Sequence, residues 1–210
     1  MLPKELRAIM EEKTQYSEIE ITIHRLQEED SEELSSFSCG CEELDSFFHE
    51  EVFLCSKYRY ITAYCAKELG TDRIVAVFTL ANDAVVLDSS DDKEDLVLES
   101  IDGIPEEYLG TFKQQTSFPA INIGHLGVLD KMQGRHIGQQ IIDFIIGTLV
   151  SYDAAGCQYI TVDSLNNAKT NHFYMSNGFV CQTMNDMYRP TRRMFLSIIP
   201  FLMNENQEDE

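Results

Sequence analysis

The run Leu126-Gly-Val-Leu-Asp-Lys-Met-Gln-Gly-Arg-His-Ile-Gly138 has the residue types of an anion site. It reads as a strand, a glycine-containing turn and the start of a helix. The first turn of a helix leaves backbone N–H groups without an intrahelical acceptor, at the positive end of the helix dipole. A phosphate or pyrophosphate is the expected guest, and Lys131 and Arg135 add positive charge. No Gly-Lys-Ser or Gly-Lys-Thr follows, and no Gly-x-Gly-x-x-Gly is present, so neither a Walker loop nor a dinucleotide fingerprint is indicated. An ordinary structural turn has the same local signature, and from these residues alone both readings stand. Cys39-Gly-Cys41 is the one closely spaced cysteine pair; with no second pair and no His-x-His, no metal site is expected.

The elements that must position this turn follow from periodicity. Glu18 to Leu26 alternates Ile19, Ile21 and Ile23 with polar residues, as a half-buried strand does, and Cys41 to Tyr58 places apolar residues at helical steps. Tyr60 to Ala66 and Ile74 to Leu80 read as a hairpin around Gly70. Pro119 to Leu129 is a strand whose Gly124 and Gly127 suggest a bulge or a close approach of ligand or backbone. Gly138 to Ser151 is a deeply packed helix, Gln158 to Ser164 a strand, and Ala168 to Asn177 a short helix stopped by Gly178. Phe179 to Met187 and Arg193 to Ile199 are further strands. The expectation is an α/β (α+β) domain with a mixed sheet; the antiparallel stretch in its middle disfavours a doubly wound fold.

At 210 residues the chain fits one domain, residues 1–203, with an acidic insertion at about 83–117 and an acidic tail, 204–210, that reads as disordered. Sixteen basic residues against 36 acidic ones give a formal charge of −20. Such a chain repels phosphate backbones, so nucleic acid is expected to be an unlikely partner. Two windows run against the trend: Tyr108 to Gln140, with Lys113, Lys131 and Arg135, and the island Arg189, Arg192 and Arg193. No stretch is long and apolar enough to span a membrane and no secretory signal is visible, so a cytoplasmic location, no membrane partner and six free thiols are expected.

Val128, Gln133-Gly-Arg-His-Ile-Gly138, Asn166-Asn167-Ala168 and Phe173-Tyr174-Met-Ser-Asn-Gly178-Phe179 together resemble the GCN5-related N-acetyltransferase (GNAT) family, with similarity running over residues 18–199. The resemblance implies a mostly antiparallel sheet of about 6–7 strands, with a splayed central strand pair and helices on both faces. It implies an acetyl-CoA-dependent transferase that moves an acetyl group to a primary amine by direct attack in a ternary complex. Leu126, Gly127 and Val128 would bond the pantetheine arm through their backbone, the glycines permitting the approach. Gln133, Gly134, Arg135, His136, Ile137, Gly138 and the N–H of Gln139 would cradle the pyrophosphate. Asn166 or Asn167 would bond the pantetheine side. Tyr174 would be the general acid for the CoA thiolate, since a phenol with a pKa of about 10 keeps its proton at neutral pH. One position departs from the family: His136 stands where its loop carries a first glycine, and a Cβ there crowds the phosphates or demands a different backbone. For the base, His125 and a water relaying to a carboxylate are both candidates, against a satisfied sheet histidine.

Phe37-Ser-Cys-Gly40, Glu42-Glu-Leu-Asp-Ser-Phe-Phe48, the insertion and Arg193-Met-Phe-Leu196 are similar to the branch of toxins that acetylate aminoacyl-tRNA. The acidic charge argues instead for a small-molecule or peptide amine of cationic character. The alternatives are a catalytically inactive acyl-CoA-binding or sensor module and an aminoacyl-tRNA-acetylating toxin. Met194 to Met203 reads as the last core strand with a loose tail, or as the seam of a homodimer.

Overall fold

The structure is a computed structural model that describes residues 19–87, 94–96, 104–152, 154–183 and 185–202. The expected tail at 204–210 and much of the expected insertion lie outside these. Seven strands, β1 (Ile21–Arg25), β2 (Thr62–Glu68), β3 (Ile74–Val86), β4 (Ser117–Val128), β5 (Tyr159–Leu165), β6 (Val180–Cys181) and β7 (Thr191–Ser197), form one sheet in the order β1-β2-β3-β4-β5-β7-β6. Besides a four-residue helix at Ser31–Leu34, the longer helices among the described residues are α1 (Glu42–Glu50), α2 (Val52–Lys57), α3 (Glu106–Phe112), α4 (Ile137–Val150) and α5 (Ala168–Ser176). The fold is the mixed, mostly antiparallel sheet with helices on both faces that the resemblance implies. Among the described residues, no helix is long and apolar enough to cross a membrane.

The described residues divide into two compact units, one made of 19–58, 63–78 and 126–141 and the other of the remainder. In the first, β1 pairs antiparallel with β2 from Ile21↔Glu68 to Arg25↔Tyr64, and residues 74–78 of β3 are wholly buried. Tyr64 stacks on Phe78 at 5.0 Å, and Phe48 of α1 is buried with edge contacts to Phe37 and Phe47. In the second unit β4 pairs parallel with β5, and β7 pairs antiparallel with both β5 and β6. An aromatic ladder, Phe112, Phe118, Tyr159 and Phe195, fills its core with ring centroids 4.7, 5.8 and 5.4 Å apart. The Phe118–Tyr159 and Tyr159–Phe195 pairs meet edge to face, an arrangement that stabilises beyond the burial of their area.

Three boundaries differ from the sequence reading. Residues 83–86, expected in the insertion, continue β3, and Asp83 is held there by hydrogen bonds described below. The single helix expected over 41–58 breaks at Glu51, whose φ of −116° leaves the helical range. The strand expected over Phe179 to Met187 shrinks to two residues, because residues 185–188 turn around a buried Asp186.

Candidate functional site

The turn after β4 is built by backbone. Leu129 N–H donates to Val75 O at 2.8 Å and Asp130 N–H to Ser38 O at 3.0 Å, which ends the strand and starts a 3₁₀ turn, Asp130–Met132. Gln133 follows in extended conformation, and Gly134 has φ +78°. His136 has φ +60°, and α4 opens at Ile137, whose side chain is buried. A Cβ added at Gly134 would meet nothing within 4 Å, so the turn is open above it. The left-handed conformation at His136 is the one a glycine adopts freely and an L-residue holds at a cost of about 1–2 kcal/mol. The backbone demand that a glycine would meet is thus present here, and His136 meets it under strain.

Side chains brace this turn from behind. The Gln133 amide donates to Cys39 O at 2.8 Å and to Val128 O at 3.1 Å, so it ties the turn to the strand end. Asp45 on α1 accepts from Cys39 N–H at 2.8 Å and from the Ser38 hydroxyl at 2.6 Å. Burial alone would raise the Asp45 carboxyl; the bonds from Ser38 and Cys39 outweigh it and hold the group below its usual range. Burial pushes the Cys39 thiol up to about 12, so it is inert as a nucleophile. At Gly127 an added Cβ would stand 2.8 Å from Phe48 Cε2 and 3.1 Å from Cys39 Cβ. That glycine therefore makes room for α1, a packing role that the sequence reading of a bulge or a close approach of ligand or backbone did not include. Ser38, Cys39, Asp45 and Phe48 are the residues sequence reasoning missed as supports. Their one signal was the Phe37-to-Phe48 motif, read only as architecture.

In the second unit the β4–β5 ladder ends at Ile123↔Val162, although Gly124 and His125 of β4 and Asp163 to Leu165 of β5 are still strand. The parallel pair parts there. Beside the parting, Thr79 Oγ1 accepts from His125 N–H at 3.0 Å and lies 3.1 Å from His125 Nδ1. A hydroxyl oxygen has two acceptor lone pairs as well as its own proton, so the Nδ1 contact is one that either tautomer of the ring can make. Burial lowers the His125 pKa, which keeps the ring neutral. On the neighbouring strands, Thr161 donates to Asp83 at 2.5 Å and Asn122 donates to Thr161 at 3.2 Å. Arg193 bonds Asp83 and, at 2.9 Å, Asp163. Burial of Asp83 is outweighed by Thr161, the Ala84 N–H and Arg193, which hold its carboxyl below the usual range.

The two candidate asparagines have structural work. Asn167 is the N-cap of α5 and its side chain accepts from Thr170 N–H at 2.9 Å. Asn166 Nδ2 donates to Met187 O and Arg189 O, both at 2.8 Å, and Asn166 Oδ1 accepts from Asn171 Nδ2 at 2.9 Å. Tyr174 is 5% exposed, with its ring edge-on to Phe173 at 5.0 Å and to Phe179 at 5.2 Å. Burial pushes its phenol above the ordinary value, so it stays protonated. In its own unit the open turn with Lys131 and Arg135 beside it has the chemistry to take an anion, and in the other a protonated phenol has the chemistry to donate to a thiolate.

Residues 95–181 match the family model described as the acetyltransferase (GNAT) domain. None of the curated proteins matches the chain. Among solved structures, AtaT complexed with acetyl-methionyl-tRNAfMet superposes with a TM-score of 0.66 at 19% identity, covering 89% of this chain and 99% of that one. AtaTR bound with acetyl-CoA gives 0.61 at 20%, over 87% and 98%. The KacTA–DNA complex gives 0.63 at 17%, over 91% and 100%. The chain has the GNAT fold in the form seen in AtaT and KacT. These complexes also correct the expectation that nucleic acid is an unlikely partner, since two of the three similar structures hold tRNA or DNA. The physical error lies in using a whole-chain sum: fields are screened within about 8–10 Å in physiological salt, so local charge decides.

Proposed function

We propose that this chain is an acetyl-CoA-dependent N-acetyltransferase whose acceptor is the α-amino group of an aminoacyl-tRNA. The open turn at the head of α4, with Gly134 and His136 in left-handed conformation, is the observation that carries the cofactor. The likeness to AtaT complexed with acetyl-methionyl-tRNAfMet supports the acceptor. Acetyl-CoA supplies an activated acetyl thioester. The first-turn N–H groups of α4, including that of Gln139, and the side chains of Lys131 and Arg135 hold its phosphates. The backbone of Leu126 to Val128 would hold the pantetheine arm, and the side-chain N–H groups of Asn167 would be available as a polar contact for it.

Transfer forms an N–C bond and breaks the C–S bond, so the amine must arrive neutral and the thiolate must be stabilised as it leaves. His125, kept neutral, is competent to take the amine proton through its unprotonated ring nitrogen, directly or through water. Tyr174, raised above an ordinary phenol, lies well above a thiol of about 8.5, so full proton transfer from it is uphill. Its contribution is a hydrogen bond to the developing sulfur anion. The test is transfer of labelled acetyl from acetyl-CoA to aminoacyl-tRNA, beside calorimetric titration with acetyl-CoA and with ATP and NAD as controls. Selective acetyl-CoA binding with acetylated aminoacyl-tRNA supports the reading. Binding without transfer to any amine overturns it in favour of a binding module.

A further inference from the structure

Tyr188 is 90% exposed, and Met187 and Arg189 beside it are exposed as well. An aromatic ring held in water is usually found on a loose loop, but this loop is pinned. The Asn166 amide holds the carbonyls on both sides of Tyr188, at Met187 and Arg189, and Asn166 N–H donates to Pro190 O at 2.8 Å. Arg189 N–H donates to Asp186 O at 2.9 Å, and the buried Asp186 carboxylate accepts from Arg193 N–H at 2.8 Å and Arg192 Nε at 3.4 Å. The ring is displayed on a prepared backbone, which lowers the ordering cost of binding.

The charge around it has been sorted. Of the three arginines in this island, Arg192 is paired with Asp186, and Arg193 with Asp83 and Asp163. Among the described residues Arg189 makes no ion pair, and it is exposed next to the ring. A tyrosine face and an adjacent guanidinium are the groups that hold a single-stranded nucleotide: the ring stacks on a base and the guanidinium meets a phosphate. We infer that Tyr188 and Arg189 form a docking point for the single-stranded end of a nucleic acid, the end on which an aminoacyl acceptor would be carried. This rests on the aminoacyl-tRNA reading above.

The test is fluorescence anisotropy of a dye-labelled short single-stranded RNA with the full chain. Wild type binds; Tyr188→Ala weakens binding roughly 5- to 150-fold, the range for loss of one base stack. Tyr188→Phe, which keeps the ring, stays within about threefold of wild type on the same ground. Arg189→Ala weakens binding and lowers the salt slope by about one charge. Tyr152→Ala, at another exposed tyrosine, has no effect. The inference is overturned if wild type fails to bind, if Tyr188→Ala binds as wild type does, or if Tyr188→Phe loses as much as Tyr188→Ala. The two proposals fail separately. A chain that binds RNA through Tyr188 yet acetylates no aminoacyl-tRNA loses the substrate and keeps the docking point. One that acetylates aminoacyl-tRNA with KM unmoved by Tyr188→Ala keeps the substrate and loses the docking point.

Discussion

The turn at 129–138 and the polar end at 163–193 hold their shapes in opposite ways. In the turn the backbone makes the shape, with the N–H groups of Leu129, Asp130, Met132 and Gln133 bonded to carbonyls, and the side chains that matter, Gln133 and Asp45, brace it from behind. At the polar end side chains do the holding: Asn166 clamps two carbonyls, Asn167 caps a helix, and Arg193 joins two carboxylates. A ligand site made of backbone tolerates side-chain change in front and fails when its supports are removed, whereas a site made of side chains fails residue by residue.

The largest expected effect tests the side-chain case. Tyr174→Phe cuts the rate of CoA release about ten- to ten-thousandfold while acetyl-CoA affinity, read by calorimetry, stays the same. Next, Gly127→Ala forces Phe48 or Cys39 aside and lowers stability by about 1–3 kcal/mol in urea unfolding, the usual cost of overpacking. Asn166→Ala removes three side-chain bonds, costing about 1–3 kcal/mol at most because its partners are near solvent. Its sharper signature is faster amide hydrogen exchange confined to residues 185–190, and equal exchange in both proteins would remove the clamp from the account.

Smaller effects probe charge and strain. Asp45 and Asp83 are held below the ordinary carboxylate range, so their stabilisation is complete above about pH 4 and is lost as pH falls through their folded values. Asp45→Asn or Asp83→Asn should flatten the fall of the urea midpoint as pH drops below about 4. Least of all, His136→Gly relieves left-handed strain of about 1–2 kcal/mol but adds unfolded-chain freedom of about 0.4–1 kcal/mol, for a net gain below about 1.5 kcal/mol in calorimetry. A loss of acetyl-CoA affinity in the same variant would show that the imidazole itself meets the phosphates.

Most of the strand and helix order was legible, because Ile19 to Ile23 and the apolar residues of α4 carry their periods openly. The turn was legible through Gly134 and through the misfit of His136. Gly127 was not, since a strand glycine facing a ligand and one facing Phe48 look alike along the chain. The Asn166 clamp was not legible for a related reason: its partners, Met187 and Arg189, lie over 20 residues away and contribute carbonyls, which no side-chain pattern records. The nucleic-acid expectation failed because a sum of charges over the chain does not say where on the surface each charge stands, and screening makes only the local ones count.

The Asn166 clamp also bears on how the chain meets proteases. Cleavage needs a segment that can be drawn out into an extended strand, and exposed loop tips are where nicking concentrates. Tyr188 offers chymotrypsin an exposed side chain on a backbone whose neighbouring carbonyls are tied down, so the bond after it is cut only when the clamp opens. Digestion at that bond would therefore be slow in the native chain and would act as a clock for the opening of the loop.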